Sequence, residues 1–98
     1  MFNLIVKVKV DHDKINEFES SIQNLIEEQN KGCKGCGKLY RSTSDHNVFY
    51  YQEEWKSRAR LDKHIHSEKF RILLGCIKSL GNVLESKISK TVDTEKLK

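Results

Sequence analysis

Within the first thirty residues the spacing of apolar side chains changes from two to between three and four. Phe2, Leu4, Val6, Val8 and Val10 alternate with Asn3, Ile5, Lys7 and Lys9, the pattern of a strand with one buried face. Asp11, His12 and Asp13 supply turn chemistry and a helix N-cap. From Lys14 onward, Ile15, Phe18, Ile22, Leu25 and Ile26 fall on one helical stripe, with Glu17, Glu19, Gln23, Glu27 and Glu28 outside it. This helix runs to about Asn30. A chain that switches period so early must lay a helix against its own first strand.

The same alternation recurs. The stretch from Lys31 to Gly37 has three glycines and ends the helix. A short strand is predicted over Lys38–Thr43, a turn over Ser44–Asn47 and a third strand over Val48–Trp55. That third strand carries Val48 and Tyr50 on one face and Phe49, Tyr51 and Trp55 on the other. Helices can cover one face, so the second needs another cover. Ser57 caps a short helix in which Leu61, His64 and Ile65 share a face. Ser67 caps another, with Phe70, Leu73, Leu74, Ile77 and Leu80 as its stripe and Gly81 as its stop. Asn82 to about Val92 reads as a fourth strand, with Leu84, Ile88 and Val92 on one face. The order is βαββαβ, an α+β ferredoxin-like arrangement: an antiparallel four-stranded sheet with helices on one face. Residues 1–92 form the domain and 93–98 a polar C-terminal tail.

Ninety-eight residues hold one core. A domain of this size buries about 60–65% of its unfolded surface, so association with a second copy is a common source of added stability. The formal net charge is +4, but the lysines are interleaved with glutamates and form no basic face, which argues against nucleic acid. No stretch approaches the roughly 18–20 apolar residues of a membrane span. Lys7 and Lys9 interrupt the first apolar run, unlike a signal peptide. Three cysteines, an odd number, suit a reducing compartment, and the expected location is cytoplasmic.

Cys33-Lys34-Gly35-Cys36 follows a helix and therefore meets the wrong end of its dipole for a redox thiol. No second CxxC completes a zinc site, so no metal is expected. His12 and His46 fall in turns, and His66 points away from the Leu61 stripe. His64 alone shares an apolar face, where an imidazole is either a satisfied core residue or a functional one.

Glu53, Trp55, Leu61, His64, Ser67 and Phe70 together resemble the E-x-W…L-x-x-H-x-x-S/T-x-x-F signature of the antibiotic biosynthesis monooxygenase domain family, which includes quinol monooxygenases. Upstream, Val10–Phe18 resembles that family's strand-to-helix junction and Lys31–Gly35 its E-G-C-x-G loop. The resemblance spans about residues 2–92. It implies a homodimer, a dimeric α/β barrel with the sheets facing each other and a pocket between each sheet and its helices. It also implies oxygenation of a small aromatic, phenolic or quinol substrate by O2 with no cofactor. His64 would be the catalytic base. Trp55, Glu53, Tyr51, Val6, Phe70 and Leu74 would contact substrate.

One branch of the family degrades haem with an Asn, a Trp and a His where this chain has Val6, His64 and Leu74, which argues against haem degradation. Two other classes of function remain beside the monooxygenase. One is a dimeric small-molecule binding or signalling module without turnover. The other is an isomerisation or decarboxylation in the same pocket.

Overall fold

The computed structural model describes residues 1–32 and 37–92. Strand β1 (Phe2–Lys9) leads through a 3-10 turn (His12–Lys14) into α1 (Ile15–Asn30). Strands β2 (Gly37–Arg41) and β3 (Val48–Trp55) follow, then helices α2 (Arg58–Ile65) and α3 (Glu68–Leu80), and finally β4 (Asn82–Lys90). The four strands form one antiparallel sheet in the order β2-β3-β1-β4, so the fold is α+β ferredoxin-like. Cys33 and Cys36, and the tail 93–98, lie outside the described residues.

The core is the stripe of each helix pressed on one face of the sheet. Leu4, Val6 and Val8 of β1, with Phe49 and Tyr51 of β3, meet Ile15, Phe18, Ile22 and Ile26 of α1 and Phe70, Leu73 and Ile77 of α3. Leu61 of α2 is buried in the same cluster. Phe49, Tyr51 and Glu53 therefore face the helices, and Tyr50 and Gln52 lie on the opposite, outer face beside Ile5, Lys7 and Tyr40.

Three local expectations change. The aspartates before α1 form no side-chain cap; instead Lys14 N–H donates to Asp11 C=O at 2.9 Å, a 3-10 turn that starts the helix. On β4 the register slips opposite Lys7 and Val8, so Val8 pairs with Val83 and Lys7 with Glu85. That bulge absorbs Leu84, which is 47% exposed, and turns Val83, Ser86 and Ile88 inward. Strict alternation groups Leu84 with Ile88 and Val92, yet Val92 is 77% exposed beyond the strand's end.

Gly81 does end α3, but its backbone is extended, with φ at −148°. The requirement there is space, since a Cβ would come within 2.6 Å of Val8 Cγ2. The two serine caps form as expected. Ser57 Oγ accepts from Arg60 N–H and Ser67 Oγ from Phe70 N–H.

Candidate functional site

Glu53 sits in the middle of the sheet's buried face and is 0% exposed. A carboxylate in such a place must be satisfied by donors, and four converge on it. Trp55 Nε1, two residues along the same face of β3, donates to Oε1 at 2.8 Å. Three groups meet Oε2: the Tyr51 hydroxyl, Gln29 Nε2 at 3.3 Å and His64 Nε2 at 3.0 Å. His64 meets the carboxyl group through Nε2, which leaves Nδ1 as the ring nitrogen that Glu53 does not engage.

Each partner is delivered by a different part of the fold. The two-residue period of β3 puts Tyr51, Glu53 and Trp55 in one row. The Ser57 cap starts α2 so that Leu61, one turn before His64, anchors the helix in the core and turns the imidazole onto β3. The imidazole is gripped between aromatic rings, with Trp55 at 4.8 Å and Phe70 at 5.0 Å between ring centres. Its side chain keeps 11% exposure, and among the described residues it alone links the carboxylate to the outside through an ionisable group.

Tyr51 is wholly enclosed. Burial first, and then the charge of Glu53, push its phenol far above the usual tyrosine range, so the hydroxyl remains a donor. Gln29 Nε2 also donates to the Tyr51 oxygen, at 2.7 Å, while Gln29 Oε1 is buried with no partner among the described residues. Gln29 is the member that the sequence pattern did not single out. A signal was there: it continues the stripe Ile15, Phe18, Ile22, Ile26 one turn further, where an apolar residue is the ordinary choice.

A cavity of about 310 Å³ opens between the sheet and helices α2 and α3. Leu4, Val6, Ser86, Lys87 and Ile88 form its sheet side, and Ile65, Phe70 and Leu74 its helix side. Val6, Phe70 and Leu74 thus lie where a bound molecule would touch them. Glu53, Tyr51, Trp55 and His64 stand behind that wall. Phe70 faces both the cavity and the imidazole, Ile65 is the neighbour of His64 in α2, and Leu4 pairs with Glu53 across the sheet. Strand alternation and helical stripes select a face of an element. They do not separate side chains that line a cavity on that face from those sealed one layer deeper.

Among the described residues no three His, Cys, Asp or Glu side chains converge as a metal site. Cys76 on α3 is a half-buried free thiol whose pKa is raised, chiefly by burial and further by Glu17. Also among the described residues, no helix is long and apolar enough to cross a membrane.

The site thus consists of a largely apolar cavity between the ferredoxin-like sheet and its helices, with a buried Glu–His pair one layer behind the cavity lining. The chain belongs to the antibiotic biosynthesis monooxygenase family, whose sequence pattern matches residues 1–72. Among solved structures it is similar to a conserved protein from Methanosarcina mazei Go1, at 28% identity over 90% of this chain and 87% of the other, with a TM-score of 0.73. It also shares the fold of an antibiotic biosynthesis monooxygenase at 21% identity, covering 95% of this chain and all of that one, TM-score 0.73. A candidate antibiotic biosynthesis monooxygenase from Caulobacter crescentus CB15 aligns at 20% identity over 94% and 90% of the two chains, TM-score 0.76. No protein of curated function matches the chain.

Proposed function

We propose that this chain is a cofactor-independent monooxygenase that uses O2 on a small aromatic, phenolic or quinol substrate, with His64 as the base. The observation that carries this reading is the Glu53–His64 pair at 3.0 Å, wedged between Trp55 and the cavity-lining Phe70. Glu53 orients the ring and stabilises the imidazolium that forms when Nδ1 takes a proton, the role a buried carboxylate plays behind a catalytic histidine. The substrate anion passes an electron to O2, and the apolar walls shield the radical pair until a C–O bond forms. One oxygen atom stays in the product, and the other leaves as water with two protons drawn from the substrate. The active form is a cytoplasmic homodimer joined through the outer sheet face, where Ile5, Tyr40 and Tyr50 lie among Lys7, Lys87 and Glu85.

Oxygen consumption by the metal-free protein with a panel of quinols and anthrone-like phenols tests this. Substrate-dependent uptake that is lost in His64→Ala is the expected result, and a flat trace across the panel counts against the reading. A dimeric binding module without turnover is the second reading. It draws on the position of His64 behind Phe70 and Ile65, out of the cavity lining itself. That reading expects ligand binding by calorimetry with no oxygen uptake.

A further inference from the structure

The polar cluster around Glu53 is larger than a Glu–His pair needs. Gln29 comes from the last turn of α1, and its Nε2 reaches both the Tyr51 oxygen and Glu53 Oε2. Tyr51 in turn donates to the same Oε2 that receives His64. The fold is shaped to admit this arrangement. At Gly37 a Cβ would lie 2.6 Å from the Tyr51 hydroxyl and 3.1 Å from Gln29 Nε2, so β2 crosses the cluster with no side chain. The crossing is clamped by Asn30, whose Nδ2 donates to Gly37 C=O at 3.1 Å and whose Oδ1 accepts from Gly37 N–H at 3.2 Å. Filling space alone is often done as well, or better, by apolar residues, because replacing a buried charge and its partners with well-packed apolar groups is often neutral or stabilising. A buried charge held from four sides makes sense if its direction matters. Its one partner with exposure to the outside and a free ring nitrogen is His64.

We infer that Gln29 and Tyr51 are positioning residues for His64. They fix the rotation of the Glu53 carboxylate so that Oε2 faces the imidazole. Nε2 then stays the protonated nitrogen, and Nδ1 is left as the acceptor, on the ring that packs against the cavity-lining Phe70. The use made of Nδ1 rests on the monooxygenase reading above, but the fixing of Nε2–H does not.

Nuclear magnetic resonance on protein carrying 15N-labelled histidine tests the inference without any substrate. In the wild type, long-range correlations should place the His64 proton on Nε2, and that proton should exchange slowly with water. In Tyr51→Phe and Gln29→Leu the same proton should exchange about tenfold faster or broaden beyond detection, the effect of losing one hydrogen bond's worth of restraint. The backbone amide pattern should remain that of the folded protein. Glu53→Gln, which keeps the shape and removes the charge, should lose the slow proton altogether. If Tyr51→Phe does not fold, Gln29→Leu, at the rim of the cluster and close in volume, gives the same readout. Two results overturn the inference: a wild-type proton on Nδ1, or folded variants whose Nε2–H exchanges within twofold of wild type. With a verified substrate, both variants should lower kcat by about 10-fold or more and leave KM within about twofold. A wild type with no oxygenase activity leaves the resonance result intact, so the two readings fail separately.

Discussion

His64 and Glu53 belong to different elements, one on α2 and one on β3, yet Nε2 and Oε2 meet at 3.0 Å inside the domain. The contact is possible because only Lys56 and Ser57 separate β3 from α2, and the Ser57 cap fixes how the helix leaves the sheet. If His64 is the general base, His64→Ala and His64→Asn should each lower kcat by roughly 10²–10⁴-fold, the usual effect of one positioned proton-transfer group. The Asn variant keeps a donor toward Glu53 and should unfold at nearly the wild-type denaturant midpoint. Wild-type turnover of a verified substrate by both variants would make His64 a packing residue.

Glu53 should matter more to stability than to binding. It is fully buried under four donors, so truncation strands all four. Glu53→Ala should cost about 3–5 kcal/mol in urea unfolding, the range for removing one partner of a buried charge pair. A loss under about 1 kcal/mol would mean that water reaches the cluster and replaces the carboxylate.

Individual residues show what was legible in the sequence and what was not. Period two and the helical stripes located β1, β3 and the three α-helices, because each buries a single face with few exceptions, whereas β2 was placed only from the glycines and the turn that bound it. The bulge at Leu84 was illegible, since a bulge is a shift of pairing between two strands and leaves no mark in the apolar count of one. Glu53, Trp55 and His64 were legible as a group through the family signature. Gln29 was marked only as a polar residue on the apolar stripe of α1, and its partners, more than twenty residues away in sequence, were not readable from that. Tyr51 carried an aromatic label that fits a pocket wall as well as a buried hydrogen-bond donor. Only its hydrogen bond to Glu53 tells the two apart.

Tyr51 gives the protein an alkaline limit. Its folded-state pKa is raised, while the unfolded chain releases that proton near the ordinary value of 10.0. The unfolded state therefore binds fewer protons above pH 10, and the contribution to stability is complete below that pH and falls as pH rises past it. Between about pH 10 and 11.5, wild type should lose stability relative to Tyr51→Phe at up to about 1.4 kcal/mol per pH unit. Denaturant unfolding of both proteins at pH 9, 10.5 and 11.5 measures it. Parallel decline in the two would place the tyrosine hydroxyl in contact with solvent.

The homodimer is expected to form through the outer sheet face, where Tyr50 on the inner strand β3 pairs with Tyr40 on one side and Lys7 on the other, with Lys87 and Glu85 on β4 beyond. Mixed charge of this kind can pair with itself across a two-fold axis. Sedimentation equilibrium at micromolar concentration should return twice the 11.5 kDa chain mass. Tyr50→Asp places a carboxylate against its own image and should give monomers with the fold intact by circular dichroism. A wild type that sediments as a monomer would remove the proposed assembly.

Two glycines should respond in opposite directions to the same substitution. Gly37 begins β2 above the buried cluster, and a methyl group there would press on the Tyr51 hydroxyl at 2.6 Å and Gln29 Nε2 at 3.1 Å. Neither atom belongs to a free side-chain end, because each is tied to Glu53 inside the core. Relief must come from shifting β2 or breaking the cluster, so Gly37→Ala should cost about 1–3 kcal/mol, as overpacking does elsewhere. It should also speed exchange of the His64 Nε2 proton. Gly75 lies in the interior of α3 on its exposed side, and a Cβ added there would have no atom within 4 Å. Alanine there meets no obstacle and reduces the backbone freedom lost on folding, so Gly75→Ala should stabilise the protein by about 0.5–1 kcal/mol. Thermal unfolding of the two variants beside wild type should therefore bracket it. A Gly37→Ala protein as stable as wild type would mean that the Tyr51–Gln29 contact is looser than the distances show.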